Sequence, residues 1–226
     1  MRILVVAATD AELAAFDVTV LHGAEICPRM KMLEHRRHDI QLLVTGVGMV
    51  ATAAWCSKIL GQNSYDLVIN LGVCGSFDSS RELGQVVHVT SDLIADLGAE
   101  DSNNFLSAQN LKLLDENEFP FTGGRLVNSA PPLGTALASL PRVDGITVNT
   151  IHGNEPSIAA AIELFHPQVE SMEGAAFMYA CLIHQVPFAQ VRAVSNFVEK
   201  RNREAWNLAG AIGNLSEVAL RIIEEV

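Results

Sequence analysis

Short apolar runs with the composition of β-strands alternate with runs of helical spacing along most of the chain. The strand-like runs are residues 3–8, 40–45, 67–71, 86–91, 146–149 and 188–195. The helical runs are residues 11–17, 50–60, 157–165, 174–184 and 204–225. Strands that alternate with helices pair into a sheet whose two faces those helices cover. The pattern therefore predicts an α/β fold, in which ligands bind at the carboxyl ends of the strands.

The length and composition are typical of one globular domain covering residues 1–226. Hydrophobic residues make up 49% of the chain and charged residues 18%, which is enough apolar material for a buried core. Between residues 97 and 141 the pattern loosens into Asn, Ser, Gly and Pro clusters, with one helical candidate at residues 106–117. We expect mainly loops over the sheet in that region.

The net charge of −11 disfavours a nucleic-acid partner, because binding to phosphates requires clustered Lys and Arg. The first residues lack the basic segment, long apolar core and cleavage site of a signal peptide. No uninterrupted apolar run reaches the 18 residues that suggest a membrane span. Cys27, Cys56, Cys74 and Cys181 lack the spacing of a metal site and are interpreted as reduced thiols. We expect a cytoplasmic protein without a metal or cofactor.

Polar side chains gather near strand ends in the second half of the chain, where V-E-S-M-E-G-A-A is followed by V-R-A-V-S-N. Glu173 opens an almost wholly apolar helix, and Arg192 lies in an apolar strand that ends at Ser195 and Asn196. A buried carboxylate needs hydrogen-bond donors, and a buried guanidinium needs an acceptor or an anionic ligand. Together with Glu12, which follows the first strand, these side chains predict a small-molecule pocket.

These residues also have structural interpretations, which the sequence leaves open. The segment T-D-A-E that ends at Glu12 matches a capping box, in which the carboxylate would accept from the Thr9 N–H. A carboxylate such as Glu173 is favoured at the first turn of a helix by the helix dipole. Asn196 could be a turn residue after its strand.

Two glycine-bearing turns also follow strands. Residues 45–51, T-G-V-G-M-V-A, match G-x-G-x-x-A, a turn that can place backbone N–H groups against an anion. A dinucleotide-binding domain usually carries this turn after its first strand, which here ends without glycine, and close packing of helix and strand is the alternative. The second turn, N-L-G-V-C-G-S, contains Gly75 and lets the backbone approach a ligand closely.

These segments resemble the nucleoside phosphorylase/hydrolase superfamily, and within it most closely the futalosine hydrolases, relatives of the methylthioadenosine/S-adenosylhomocysteine nucleosidases. The resemblance covers nearly the whole chain, from the glutamate after the first strand through both glycine turns to V-E-S-M-E-G-A-A and V-R-A-V-S-N. The run V-E-K-R-N-R-E-A-W, residues 198–206, points to the futalosine hydrolases in particular. The resemblance implies a three-layer α-β-α fold with a central mixed, twisted sheet, and a homodimer or larger homo-oligomer.

The resemblance implies a cytoplasmic enzyme of menaquinone biosynthesis that would cleave futalosine into hypoxanthine and dehypoxanthine futalosine. Glu173 would bind the ribose 2′- and 3′-hydroxyls, and Met172 would pack under the sugar. Glu12 would take a proton from the attacking water, which Arg192 would help to hold. The predicted catalytic residues are Glu12, Arg192 and Asn196. The predicted substrate-binding residues are Met172, Glu173, Ser195, Gly75, Ile151, His152, Arg201 and Arg203.

Asn196 stands where the adenine-specific nucleosidases carry Asp. An amide donates from its NH2 to O6 of a 6-oxopurine and accepts from N7–H, whereas a carboxylate would meet O6 without a donor. Leaving a buried polar atom unpaired costs about 1–3 kcal/mol. Asn196 therefore favours hypoxanthine as the leaving group. Because an amide is not an acid, the N7 proton would come from solvent or a bound water.

The sequence departs from the adenine-specific relatives at two places. Ile151 and His152 stand about where those enzymes stack the base on an aromatic side chain, and either residue could contact it. Val73 stands where they carry a serine, so one ligand of the water could be missing. Arg201 and Arg203 could pair with the aromatic carboxylate of futalosine, or they could belong to a solvated helix start.

Other functions remain compatible with these residues. A purine nucleoside phosphorylase acting on inosine would share the fold, but the glycine turns offer few ligands for phosphate. A methylthioadenosine/S-adenosylhomocysteine nucleosidase would keep Glu173 and contradict the argument from Asn196. A nucleoside-binding protein without turnover would need Glu173 but not Glu12. A Rossmann oxidoreductase would use the turn at residues 45–51.

Overall fold

The computed structural model describes residues 1–14, 16, 24–27, 29–35, 37–102 and 104–226, without the side chains of residues 24–27, 34 and 35. Strands β1 to β12 are Arg2–Ala7, Ala24–Cys27, Met30–His35, His38–Val44, Leu67–Ser76, Val86–Asp92, Gly98–Asp101, Asn104–Ser107, Leu126–Val127, Arg142–Thr147, Val169–Ser171 and Phe188–Phe197. Helices α1 to α5 are Met49–Gln62, Thr135–Ala138, Glu155–Phe165, Gly174–His184 and Leu208–Glu225. Two 3₁₀ turns occupy Asp10–Leu13 and Arg203–Ala205.

Strand β1 lies inside the main sheet and shows why the fold has three layers. Its residues Ile3, Leu4, Val5 and Val6 are all fully buried. Ile3 and Val5 belong to an apolar cluster with helix α5, whereas Leu4 and Val6 belong to another with α1 and α4. Successive side chains of a strand point to opposite faces of the sheet. An unbroken apolar strand therefore needs helices on both faces, and the predicted α-β-α architecture is confirmed.

The main sheet has ten strands in the described part of the chain, with the order β11-β10-β6-β12-β5-β1-β4-β3-β2 and β9 beside β6. Strand β1 is parallel to β4 and β5, whereas β6 is antiparallel to β12, so the predicted mixed sheet is confirmed. Strand β11 also pairs with the end of β5, which closes the β5-β12-β6-β10-β11 half on itself. The closure brings the carboxyl ends of β5 and β12 next to the antiparallel strand β11.

The prediction of a helix at residues 106–117 is wrong. Leu106 and Ser107 belong to strand β8 and pair with Ala99 and Gly98 in the separate hairpin β7-β8, after which the chain turns. Asn110 Oδ1 accepts from the N–H of Ser107 at 3.2 Å and from its hydroxyl at 2.8 Å, and Lys112 has a φ of 57°. Such local bonds between side chain and backbone compete with helix formation. The spacing of apolar residues does not reveal them.

The last predicted helix, residues 204–225, begins at Leu208 instead, after the 3₁₀ turn at Arg203–Ala205. Asn207 caps it, because its side chain accepts a backbone N–H of the first turn at 3.0 Å. The N–H of Asn207 donates to the carbonyl of Ser195 at 2.8 Å. The cap therefore ties the start of α5 to the end of β12, next to Asn196.

Several short elements were not predicted. Strands β2 and β9 and helix α2 have at most four residues, too few to show a period in the sequence. Within the helix predicted at residues 11–17, the first residues belong to the 3₁₀ turn Asp10–Leu13 and residues 14 and 16 are α-helical, whereas residues 15 and 17 lie outside the described residues. Within the part of the chain that the structure describes, no helix has the length and apolar character needed to cross a membrane.

Three of the cysteines are free and buried, namely Cys56, Cys74 and Cys181, whereas the side chain of Cys27 lies outside the description. Burial raises the pKa of Cys56 and of Cys74 to about 12. A thiolate, not a thiol, is the nucleophile. These side chains therefore pack as small apolar groups, as the sequence predicted.

Candidate functional site

Glu12 belongs both to a capping box and to a buried polar cluster. It is 8% exposed, and its Oε2 accepts from the N–H and the hydroxyl of Thr9, each at 3.0 Å. Its other oxygen, Oε1, accepts from the N–H of Val73 at 3.3 Å, in the second glycine turn. The cap fixes one carboxylate oxygen and leaves the other directed toward the exits of β1 and β5. The capping interpretation therefore does not compete with a place in a pocket.

Arg192 reaches the same point from strand β12. It is 1% exposed, its Nη2 donates to Asn70 Oδ1 at 2.6 Å, and Asn70 donates in turn to the carbonyl of Val6 at 3.0 Å. A Cβ atom on Gly72 would collide with Arg192 Nη1 and would lie 3.2 Å from Glu12 Oε1. Glycine at this position leaves the space that the guanidinium fills beside the carboxylate.

Glu173 completes the cluster at the start of helix α4. It is 9% exposed, and its Oε1 accepts from the N–H of Gly48 at 2.9 Å. Burial raises the pKa of Glu173, while the charge of Arg192 and the Gly48 N–H lower it and the charge of Glu12 raises it. The first glycine turn therefore gives this N–H to a protein carboxylate, which argues against a dinucleotide site. We call Glu12, Glu173 and Arg192 the carboxylate cluster.

A second group of predicted residues lines a cavity at the ends of β5, β11 and β12. The strand register places Gly75 of β5 between Glu170 of β11 and Asn196 of β12. Besides Gly75, the residues that line the cavity include Ile151, His152, Glu170, Asn196, Arg201 and Trp206. We call this space the loop cavity, because most of its walls follow strand ends.

Asn196 is half-buried, and its amide is bonded within its own strand. The side-chain Nδ2 donates to the carbonyl of Phe197 at 2.9 Å, and Oδ1 accepts from the hydroxyl of Ser195 at 2.9 Å. The pairing of β12 with β5 shifts register between Val194 and Asn196, and such a bulge re-aims the following side chain. A Cβ atom on Gly75 would lie 3.2 Å from Asn196 Nδ2, so glycine leaves room for the amide.

Glu170 is a site residue that sequence reasoning missed. It is 4% exposed, its Oε1 accepts from the N–H of His152 at 3.0 Å, and its Oε2 pairs with the imidazole Nδ1. The imidazole also packs edge-on against Phe77, with ring centroids 6.3 Å apart. The signal was present in V-E-S-M-E, because a glutamate in a short buried strand must find a partner.

Asp92, also missed, organises a buried polar network behind Glu173. Its Oδ2 accepts from Gln190 Nε2 at 3.0 Å, and its Oδ1 accepts from the Thr147 hydroxyl at 3.0 Å. The Thr147 Oγ1 accepts an N–H from the first turn of α4 at 2.8 Å. Burial raises the pKa of Asp92, and the two side-chain hydrogen bonds oppose that shift. A Cβ atom on Gly174 would collide with Asp92, so this glycine lets the helix begin against the network.

The remaining predicted residues have varied surroundings. Ser195 is buried, with its hydroxyl 3.2 Å from a carbonyl of β5, and Met172 is half-buried beside Glu173. Arg201 and Arg203 are exposed, and their Cζ atoms lie 5.6 Å and 6.0 Å from the centroid of the Trp206 ring. Arg201 lines the loop cavity, whereas Arg203 does not. Among the described residues, no group of three or more His, Cys, Asp or Glu side chains is arranged to hold a metal ion.

The sequence model of the phosphorylase superfamily matches residues 2–224 of the chain. The chain belongs to this superfamily. Two relatives are the futalosine hydrolase of Thermus thermophilus, 28% identical over 186 residues, and that of Streptomyces coelicolor, 32% identical over 193 residues. The alignments cover 81% of this chain in both cases, 80% of the Thermus protein and 78% of the Streptomyces protein.

A solved structure of the superfamily, the native futalosine hydrolase of Helicobacter pylori, shares the fold with a TM-score of 0.82 at 12% sequence identity. The match covers 100% of this chain and 98% of that one. The resemblance predicted from the sequence is confirmed, and so is the prediction of an enzyme, a nucleoside N-glycosidase. The superfamily does not by itself assign roles to residues, which have to be argued from the geometry of the site.

Proposed function

We propose that the protein hydrolyses the N-glycosidic bond of futalosine, giving hypoxanthine and dehypoxanthine futalosine, as a step of menaquinone biosynthesis. The observation that carries the proposal is an amide, Asn196, in the loop cavity, four residues along the strand that buries Arg192 in the carboxylate cluster. The names of the two bacterial relatives agree with this substrate.

In the proposed complex the ribose lies over the carboxylate cluster. Glu173 uses Oε1 for the Gly48 N–H and keeps acceptor capacity for the 2′- and 3′-hydroxyls. Burial raises the pKa of Glu173, and the charge of the neighbouring Arg192 opposes that shift. The ionised carboxylate is the form that can accept hydrogen bonds from both hydroxyls of the diol. Met172 packs under the sugar, and Ser195 borders it.

Glu12 acts as the general base in this proposal. Its Oε2 is held by the two bonds to Thr9, so Oε1 is the oxygen placed to accept a proton from water. The guanidinium of Arg192 shares the space around Gly72 with that oxygen and helps to hold the water. The bond from C1′ to the purine loosens, positive charge builds on the ribose ring, and the activated water attacks C1′.

Asn196 reads the leaving base. Its Nδ2 donates to O6 of hypoxanthine and its Oδ1 accepts from N7–H, once the amide exchanges its bonds to Phe197 and Ser195 for bonds to the purine. A 6-aminopurine protonated at N7 would present two donors, N6–H and N7–H, of which the amide oxygen can accept only one while Nδ2 faces the other. Arg201, which lines the cavity, and Arg203 would pair with the aromatic carboxylate of futalosine. The working form is proposed to be a homodimer or larger homo-oligomer.

The proposal is tested by base release from futalosine, inosine and methylthioadenosine, each with and without phosphate. We expect fast release of hypoxanthine from futalosine that does not depend on phosphate. Release from inosine only with phosphate would identify a phosphorylase. Adenine release from methylthioadenosine would contradict the role of Asn196, and binding without release would identify a nucleoside-binding protein.

A further inference from the structure

The proposed reaction leaves the departing purine without an acid. When the bond between C1′ and N9 breaks, its electron pair moves into the purine, and a proton at N7 makes the purine a better leaving group. The Asn196 amide can hold an N7–H but cannot supply its proton. In the same proposal Glu12 serves the water and Glu173 serves the ribose. The proton must come from solvent or from another group in the loop cavity.

His152 has the required chemistry and lies in that cavity. Its side chain is 17% exposed, and its Nδ1 is taken by Glu170 Oε2, so Nε2 is the ring nitrogen left to meet a ligand. In an imidazolium both ring nitrogens are donors, so the ring held by Glu170 through Nδ1 can donate a proton from Nε2. The other charged side chains that line the cavity are Glu199 and Arg201, one of each sign.

Glu170 fixes the imidazole at two points. Its Oε1 accepts the His152 N–H at 3.0 Å while Oε2 holds the ring, so one carboxylate sets both the backbone and the side chain. Glu170 lies opposite Gly75 on one side, and Asn196 lies opposite Gly75 on the other. The carboxylate that orients His152 and the amide that reads the base therefore flank the same residue of β5.

We propose, on the basis of the function proposed above, that His152 is the general acid for the departing 6-oxopurine and that Glu170 is its positioning residue. The C1′–N9 bond breaks, its electron pair passes to the purine, and the proton on His152 Nε2 passes to N7. As the base departs, the new N7–H leaves His152 and donates to Asn196 Oδ1. Water adds its oxygen to C1′ and gives a proton to Glu12. His152 ends neutral and Glu12 ends protonated, and exchange of one proton with solvent returns both to their starting forms. This replaces the solvent proton expected from the sequence alone.

The test is the pH profile of kcat for hypoxanthine release from futalosine in four forms of the enzyme. The wild type should lose activity at alkaline pH, as the acid loses its proton. His152→Gln should lose about 10²-fold or more in kcat and should lose this alkaline limb. Glu170→Gln keeps an acceptor for the His152 N–H but removes the charge, so the alkaline limb of its profile should lie at lower pH than that of the wild type. Glu199→Gln removes another carboxylate from the cavity and should shift the limb far less.

The outcomes separate the two proposals. If the wild type releases no hypoxanthine from futalosine, the proposed function itself is wrong. If the wild type is active, an alkaline limb that is absent, or that stays unchanged in Glu170→Gln, overturns the role of the pair. A kcat for folded His152→Gln within about threefold of the wild type would do the same. Unfolding curves show whether each variant is folded. If His152→Gln does not fold, the pH profile of Glu170→Gln decides whether the pair supplies the proton.

Discussion

The carboxylate cluster and the loop cavity are built in opposite ways. In the cluster, Glu12, Glu173 and Arg192 are at most 9% exposed, and each is bonded to a distant segment of the chain. In the cavity, the Asn196 side chain is bonded to its chain neighbours Ser195 and Phe197, and Arg201 comes from an exposed segment after β12. A buried bonded group cannot shift without leaving a polar atom unpaired, whereas an exposed one can adapt. We infer that the cluster holds the ribose and the attacking water, whereas the cavity receives the base, which Asn196 selects and His152 protonates.

The largest effect should come from Glu12→Gln in the cluster. Glutamine keeps an oxygen for the Thr9 N–H but cannot take a proton from water, so kcat for hypoxanthine release should fall by about 10²- to 10⁴-fold. Binding of substrate, measured by calorimetry, should change little. Asp10→Asn, an exposed change in the same 3₁₀ turn, is the matched control and should keep wild-type turnover. Turnover of Glu12→Gln close to that of the control would contradict the division between cluster and cavity.

Glu173→Gln should have the next largest effect. Hydrogen bonds to a charged group contribute about 1.5–3 kcal/mol, so kcat/KM should fall by about 10- to 100-fold. Because the ribose is common to all substrates, the loss should be similar for futalosine and for any other nucleoside that the enzyme accepts. A loss confined to one substrate would show that the cluster also selects substrates.

Glu173→Gln should lower activity without lowering the stability of the fold at neutral pH. The pKa of Glu173 is raised by burial, so between the ordinary glutamate pKa and the raised value the folded state holds a proton that the unfolded state has released. Over that interval the free energy of unfolding of the wild type falls as pH rises. Glutamine removes this contribution, so the fall with pH should be smaller and stability at neutral pH should not decrease. Urea unfolding at a series of pH values measures the free energy of unfolding of both forms. The same dependence on pH in the wild type and in Glu173→Gln would contradict a buried Glu173 with a raised pKa.

Asn196→Asp tests the cavity. A carboxylate in place of the amide meets O6 without a donor, so hypoxanthine release from futalosine should fall by about tenfold. Adenine release from methylthioadenosine, assayed in parallel, should rise relative to it. Equal losses on both substrates would show that Asn196 serves the reaction in general, and would contradict the claim that the cavity selects the base.

The smallest effect should come from the exposed arginines. An exposed ion pair contributes about 0.2–1 kcal/mol, so Arg201→Gln should raise KM for futalosine a few-fold and leave kcat unchanged. Arg203→Gln is a natural comparison, because Arg203 lies against the same Trp206 ring but outside the residues that line the cavity. A larger effect from Arg203 than from Arg201 would show that the substrate carboxylate lies outside the cavity.

The two regions also differ in how well the sequence predicts them. A charged residue in an apolar run must be buried with a partner, and that argument found Glu173 and Arg192 without knowing which strands meet. Glu170 and Asp92 obey the same rule but were missed, since their partners His152 and Gln190 come from other segments, which the pairing of β10 with β11 and of β6 with β12 brings close. Spacing of apolar residues identified the long strands and helices, and it failed where local hydrogen bonds determine the backbone.

The helix wrongly predicted at residues 106–117 is an example of that failure. Its apolar residues have helical spacing, yet Asn110 bonds to Ser107 and the chain turns. The same competition explains why the last helix begins at Leu208, behind the Asn207 cap, rather than at residue 204. Short polar side chains that bond to the backbone thus determine where helices and strands end, and the spacing of apolar residues does not predict those ends.

The most direct test of the central claim is the fate of the water oxygen. Futalosine is turned over in ¹⁸O-labelled water with phosphate present, and the sugar product is analysed by mass spectrometry before its anomeric hydroxyl exchanges with solvent. We expect one labelled oxygen in dehypoxanthine futalosine, formed together with an equal amount of hypoxanthine. A phosphorylated sugar without label would show that phosphate attacks C1′, and Glu12 would then not be a base for water.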